Sequence, residues 1–199
     1  VVSAFVIKDP ASLVAHLIEN LSKLDNNFAQ QLQTVENLHQ LSVTKDFAAT
    51  LGGEFVFAVD GPVVPTPAWK AIFEVYDSAK LQNSLERLVT EVNSWATKLG
   101  KKGLQIEKSE LNGQTFYTIK SLDTGLEMSY GFNNGYFIAA ASRALVDQAL
   151  RYRDSGYTLT KSPKFLSLLP TDTYANFSAM FYYDLAPVLA PVAGQLSKS

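Results

Sequence analysis

Side chains able to move a proton near neutral pH are scarce in this sequence. There are two histidines, His16 and His39. Both fall in segments whose apolar spacing predicts helix. Neither has a second histidine at the i, i+4 spacing of a metal-binding helix. A histidine acting as general base also needs a positioned partner. The members of a Ser–His–acid site meet in space rather than in sequence. One alternative for function is therefore a hydrolase that assembles Ser42, or another serine, with His39. The most readable serine signature, Gly-x-Ser-x-Gly on a strand-to-helix elbow, does not occur.

Other chemistry-bearing patterns are equally thin. Ser42-Val43-Thr44-Lys45 fits Ser-x-x-Lys, in which the lysine activates the serine, and Tyr174-Ala175-Asn176 fits the companion Tyr-x-Asn. Penicillin-recognising enzymes also need a later Lys-Thr/Ser-Gly strand. Nothing after Asn176 supplies one, and Lys161-Ser162-Pro163 comes too early and lacks the glycine. No glycine-rich phosphate loop is present, and Gly52-Gly53 precedes a predicted strand rather than a helix N-terminus. Glu107 and Glu110 lie three apart on a predicted strand and face opposite sides, which does not suit a paired-carboxylate site. The chain has no cysteine, which excludes disulfides, thiol catalysis and cysteine-ligated metals. No cofactor is expected from these residues. The binding candidates are Pro65, Pro67 and Trp69, at the end of a stiff proline loop entering a strand.

Composition narrows the partners. The 199 residues are 47% hydrophobic and 18% charged, with net charge -2. That is apolar enough for a packed core and too weakly charged for general disorder. No basic run exists to neutralise phosphates, so nucleic acid is not an expected partner; Lys98, Lys101 and Lys102 read as complements to a helix C-terminus. No apolar stretch reaches the roughly 20 residues that span a bilayer. The expected partner is a protein, peptide or lipid.

Hydrophobic periodicity supplies the scaffold. Leu104 to Leu111 alternates, Asn112-Gly113 marks a two-residue turn, and alternation resumes from Gln114 to Ser121. After Asp123-Thr124-Gly125, every second position from Leu126 to Phe132 is apolar or aromatic, and a third turn at Asn133-Asn134-Gly135 precedes Tyr136, Ile138 and Ala140. This rhythm predicts a four-stranded antiparallel meander with one buried face. Two further strands are expected over 54–60 and 69–76. Leu81, Leu85, Leu88, Val89, Val92, Trp95 and Leu99 form a helical stripe over 78–99, with Asp77 as N-cap and Gly100 after its end. Helices are also expected over 10–24, through Leu13, Leu17, Ile18, Leu21 and Leu24, and over 27–41, 143–153 and 162–169. Near the C-terminus, period 2 places Phe177, Phe181 and Tyr183 on one, inward face and Tyr182 on the surface.

A strand ending in a capping residue four positions before a Leu or Val occurs four times, at Asp9, Asp77, Ser142 and Asp184. Such aspartates are expected to cap helices rather than to act as acids. The fold class that results is α+β: a mostly antiparallel sheet, including the four-stranded meander, packed against several helices in a single domain over 1–199.

The run Leu51-Gly52-Gly53-Glu54-Phe55-Val56-Phe57-Ala58-Val59-Asp60-Gly61, then Pro67-Ala68-Trp69-Lys70 and Phe73-Glu74-Val75-Tyr76-Asp77, resembles the bacterial domain of unknown function 3352. Asn134-Gly135-Tyr136-Phe137-Ile138-Ala139-Ala140-Ala141, Ser155-Gly156-Tyr157-Thr158-Leu159, Phe165-Leu166-Ser167-Leu168-Leu169-Pro170 and Asn176-Phe177-Ser178-Ala179 continue the likeness over roughly 50 to 190. The resemblance implies a C-terminal part of a longer, exported protein, in the periplasm or at the surface, and carries no assigned activity or site. The leading expectation is an extracytoplasmic binding or scaffolding domain with no readable catalytic site. The alternatives are the Ser/His hydrolase and a carrier of an apolar ligand held between the meander and helix 78–99.

Overall fold

The computed structural model describes residues 1–24, 27–60, 67–169 and 179–184. Among the described residues eight strands form one sheet in the order β4-β5-β6-β7-β3-β2-β1-β8, and every neighbouring pair is antiparallel. These are β1 (Val2–Val6), β2 (Leu51–Val59), β3 (Trp69–Val75), β4 (Leu104–Leu111), β5 (Gln114–Ser121), β6 (Glu127–Asn133), β7 (Tyr136–Ala140) and β8 (Ala179–Tyr182). The helices are α1 (Pro10–Leu24), α2 (Phe28–His39), α3 (Ser78–Lys98), α4 (Arg143–Ser155) and the single turn α5 (Pro163–Leu166). The architecture is the α+β class expected from the sequence.

The meander β4–β7 forms where the alternation places it. Its first and last turns are tight because Asn112 and Gly113 have φ of 53° and 75°, and Asn134 and Gly135 of 48° and 79°. Two consecutive left-handed residues define the turn whose twist matches paired strands, and Asn-Gly is the pair that tolerates it.

Register then decides the two faces. Residues directly opposite on paired strands share a face, so Phe73, Phe137, Phe132 and Tyr130 line one side and Ile72, Ile138 and Phe116 the other. Helix α3 covers the first side, burying Leu81 against Val75, Tyr130, Phe137 and Ala139. Tyr130 is fully buried, stacks on Tyr117 at 5.1 Å and donates its hydroxyl to Gln82 Oε1 at 3.1 Å. Burial holds the Tyr130 hydroxyl well above the ordinary phenol range. Helix α4 covers the opposite side, burying Val146 and Leu150 against Phe116, Ile138 and Ala140. The expectation of one buried meander face is thus corrected for β5 to β7, where both are covered; on β4 the second face stays exposed at Gln105 and Glu107. Over β6 the second face is built from Ser129 and Gly131, whose small side chains let a helix approach but carry no apolar rhythm.

Three caps hold as expected. The side chains of Asp9, Asp77 and Ser142 accept from the backbone N–H of Ser12, Lys80 and Leu145. Residues after Asp184 lie outside the described residues; Asp184 itself pairs with Lys164.

Other expectations are revised. The Leu13, Leu17, Leu21 stripe of α1 faces outward, with exposures of 42%, 51% and 46%, while Ala11, Val14, Ile18 and Ser22 are the half-buried line. In the α3 stripe Leu81 and Val89 are buried as expected, but Leu88, Trp95 and Leu99 are exposed, and Ala96, outside the stripe, is buried toward the helix end. Phe181 and Tyr183 face solvent, whereas Tyr182 is half-buried and meets Phe165 edge-on at 5.4 Å. In each case the spacing shows which residues share a face, and the neighbouring elements select the face that is covered.

Gly52-Gly53 has a steric explanation. Glu74 on β3 reaches under the irregular start of β2, and its Oε2 accepts from Gly53 N at 2.7 Å and Glu54 N at 3.3 Å. A Cβ on Gly52 would lie 2.4 Å from the Glu74 side chain, and one on Gly53 would lie 2.7 Å from the Ile7 carbonyl oxygen. A flexible carboxylate can move, but a backbone carbonyl moves only with its strand. Gly53→Ala is therefore expected to destabilise the domain more than Gly52→Ala, which loses about 1.5–3 kcal/mol from the charged hydrogen bonds. Urea denaturation of the two variants gives the order. In the same assay Phe116→Ala is expected to lose about 3–5 kcal/mol, as for other buried phenylalanines.

Candidate functional site

The clearest ligand-sized cavity opens at the corner where β1, β2 and β8 meet the C-terminal end of α4. It measures about 670 Å³ and is lined by Val2, Val59, Leu159, Pro163, Tyr152 and Tyr182 among others. That size falls within the range of small-molecule sites. Local chain geometry makes it. Helix α4 ends at Gly156, which has φ of 73° and caps the helix through its N–H to Arg153 O. The chain then turns through a short 3₁₀ segment, Leu159–Lys161, into α5, which Ser162 caps with Pro163 in the first turn. Phe165 is buried and abuts Tyr182, which anchors this segment against the sheet edge. Tyr152 and Tyr157 meet edge-on at 5.1 Å on the other wall.

A polar chain runs into this cleft from the interior. Lys70 on β3 points to the α4 side with Ile72 and is 4% exposed. Its ammonium pairs with the Asp60 carboxylate and donates to Gln148 Oε1 at 3.2 Å. Gln148 Nε2 donates in turn to the Tyr152 hydroxyl oxygen, one helical turn on, at 3.0 Å. Asp60 and Tyr152 both line the cleft. A buried ammonium is strongly penalised unless it is paired and hydrogen-bonded, and Asp60 and Gln148 meet both needs.

Of the residues predicted to bind, Pro65 lies outside the described residues. Pro67 is exposed and borders a separate cleft of about 460 Å³ with Leu126 and Leu145. Trp69 is half-buried and packs against the aromatic core beneath α3. The structure therefore sends Pro67 and Trp69 in different directions. The interface between meander and α3, the place given to the apolar-ligand alternative, is packed with aromatic rings: Tyr130 lies 5.1 Å from both Tyr117 and Phe137, ring centre to ring centre.

His39 Nδ1 meets Glu91 Oε2 at 2.6 Å, joining α2 to α3. Ser42 Oγ accepts from Lys45 N at 3.3 Å as the cap of a one-turn π-helix, Val43–Phe47. His16 is exposed beside Glu19. Among the described residues no group of three or more His, Asp or Glu side chains could hold a metal ion, and no helix is long and apolar enough to cross a membrane.

The sequence reading passed over Lys70, Gln148 and Tyr152. Two signals were present: a lysine in phase with Ile72 on a strand, and Gln148 and Tyr152 at i, i+4 on a helix. The signal that joins them is the crossing of α4 over β3, which is tertiary.

No curated protein matches this chain, and no solved structure matches it. The family described as "Protein of unknown function (DUF3352)" matches residues 7–197. That span takes in strands β2 to β8 but none of β1, and every residue lining the corner cleft except Val1 and Val2, and the chain therefore belongs to the DUF3352 family.

Proposed function

We propose that this chain is a non-enzymatic, extracytoplasmic binding domain that seats an apolar ligand in the corner cleft. The observation that carries the reading is the cleft itself, about 670 Å³ with an aliphatic floor of Val2, Val59, Leu159 and Pro163 and tyrosine walls. Apolar concavities with a few convergent polar groups are the common form of small-molecule and peptide sites. Tyrosine suits such walls because its ring buries area while its hydroxyl stays available for a hydrogen bond. An export signal on the full-length gene product would support the compartment, and a cytoplasmic location of the native protein would remove it.

The hydrolase alternative rests on the His39–Glu91 contact, which resembles the way a carboxylate orients a catalytic imidazole. Its weakness is Ser42, whose oxygen is engaged as a helix cap. The binding reading needs no such rearrangement.

Displacement fluorescence with N-phenyl-1-naphthylamine tests the site. Leu159→Asp, which puts a charge against the floor, is expected to weaken dye binding by about tenfold or more. Leu126→Asp, in the cleft beside Pro67, is expected to leave it unchanged. The reverse pattern would move the binding site to the cleft beside Pro67.

A further inference from the structure

The direction of the polar chain in the corner cleft can be read without seeing a hydrogen atom. A lysine ammonium has donors and no acceptor. The Gln148 atom nearest Lys70 must therefore be the carbonyl oxygen, and the contact at 3.2 Å is drawn that way. The amide nitrogen is then forced to face Tyr152, where it donates to the hydroxyl oxygen at 3.0 Å. An amide assignment is usually a choice between two orientations; here the buried charge removes the choice. A phenol oxygen that accepts from Gln148 keeps its own hydrogen for another partner, and Tyr152 lines the cleft.

From this we infer that Tyr152 is the ligand-orienting group of the corner cleft, presenting an O–H donor held in that role by Lys70 through Gln148, and that the ligand is an apolar molecule carrying a neutral hydrogen-bond acceptor such as a carbonyl. The inference rests on the cleft being the binding site, as proposed above. The surrounding charges favour a neutral acceptor. Asp60 is already paired with Lys70, and Asp184 with Lys164, so each carboxylate at the cleft has its own cation. Lys161 folds back over the end of α4, where a Cβ on Gly156 would lie 2.7 Å from its Nζ, a position that suits a cation at a helix C-terminus. Lys70 and Gln148 are positioning residues: they set which way Tyr152 donates and need not touch the ligand.

The test uses three probes that compete with N-phenyl-1-naphthylamine: nonan-2-one, which only accepts; decane, which does neither; and octylammonium, which only donates. Nonan-2-one is expected to bind about fivefold tighter than decane, the size of one net hydrogen bond, and tighter than octylammonium. Tyr152→Phe is expected to bring the ketone-to-decane ratio to about one while decane binding persists. Lys70→Met frees Gln148 to turn over, so that Tyr152 donates to it instead, and the ratio is again expected to fall. A purely structural role for Lys70 would change both affinities together and leave the ratio intact. Equal binding of ketone and decane to the native protein, a ratio that survives Tyr152→Phe, or preference for octylammonium would each overturn the assignment and leave the cleft standing. Failure of all three probes to displace the dye would overturn the assignment and the cleft together.

Discussion

The antiparallel pairing of β3 with β7 is the constraint on which the rest of this structure depends. It joins the meander to the strands β2, β1 and β8, and makes one sheet of two groups of strands. The register puts Lys70 opposite Ala140, Ala71 opposite Ala139 and Ile72 opposite Ile138. The small residues at this seam keep both faces low, so α3 can settle on one side and α4 on the other. The pairing also fixes which β3 residues meet which helix: Phe73 and Val75 go to α3, and Lys70, Ile72 and Glu74 turn to the α4 side. A slip of one residue would exchange the two sets, leaving phenylalanine where the lysine and glutamate now find partners.

Both polar residues on that side have tasks at opposite ends of the strand. Glu74 holds the irregular start of β2 through backbone donors on Gly53 and Glu54. Lys70 reaches Asp60 just beyond the end of β2 and Gln148 on α4. Tyr136 adds a further tie, its hydroxyl donating to Glu54 Oε2 at 2.7 Å, which together with partial burial pushes its pKa up to about 12. The sheet's centre is apolar and its ends are pinned by specific polar contacts, whose groups would lose their partners in a register shift.

The candidate site was legible in the sequence only in fragments. Pro67 and Trp69 were conspicuous because proline and tryptophan stand out in a short loop, yet Trp69 is half-buried in core packing and Pro67 borders a different cleft from the apolar corner. Lys70, the next residue, stands in no motif of the sequence that would mark a site. Its burial follows from α4 lying across β3, and no local pattern records that crossing. The corner cleft likewise draws its walls from β1, β2, α4, α5 and β8, which are far apart along the chain. The histidines were easy to find, and His39 stood as the base of the hydrolase alternative; its contact with Glu91 comes from α2 lying beside α3, which no local pattern records.

By itself the sequence determined the local conformations. Period-2 and period-3.6 spacing, Asn-Gly turns at residues able to take positive φ, and Asp or Ser caps are short-range steric and hydrogen-bonding preferences, acting over a few residues and readable in order. The meander, α3, α4 and three of the caps stand where those preferences put them. The tertiary structure decided which apolar face is covered and which is left in water, as in α1 and at Phe181 and Tyr182, and it brought Asp60, Lys70, Gln148 and Tyr152 together. Those outcomes depend on strand order and helix crossing, which arise from the packing of distant elements and leave no periodic trace in the chain.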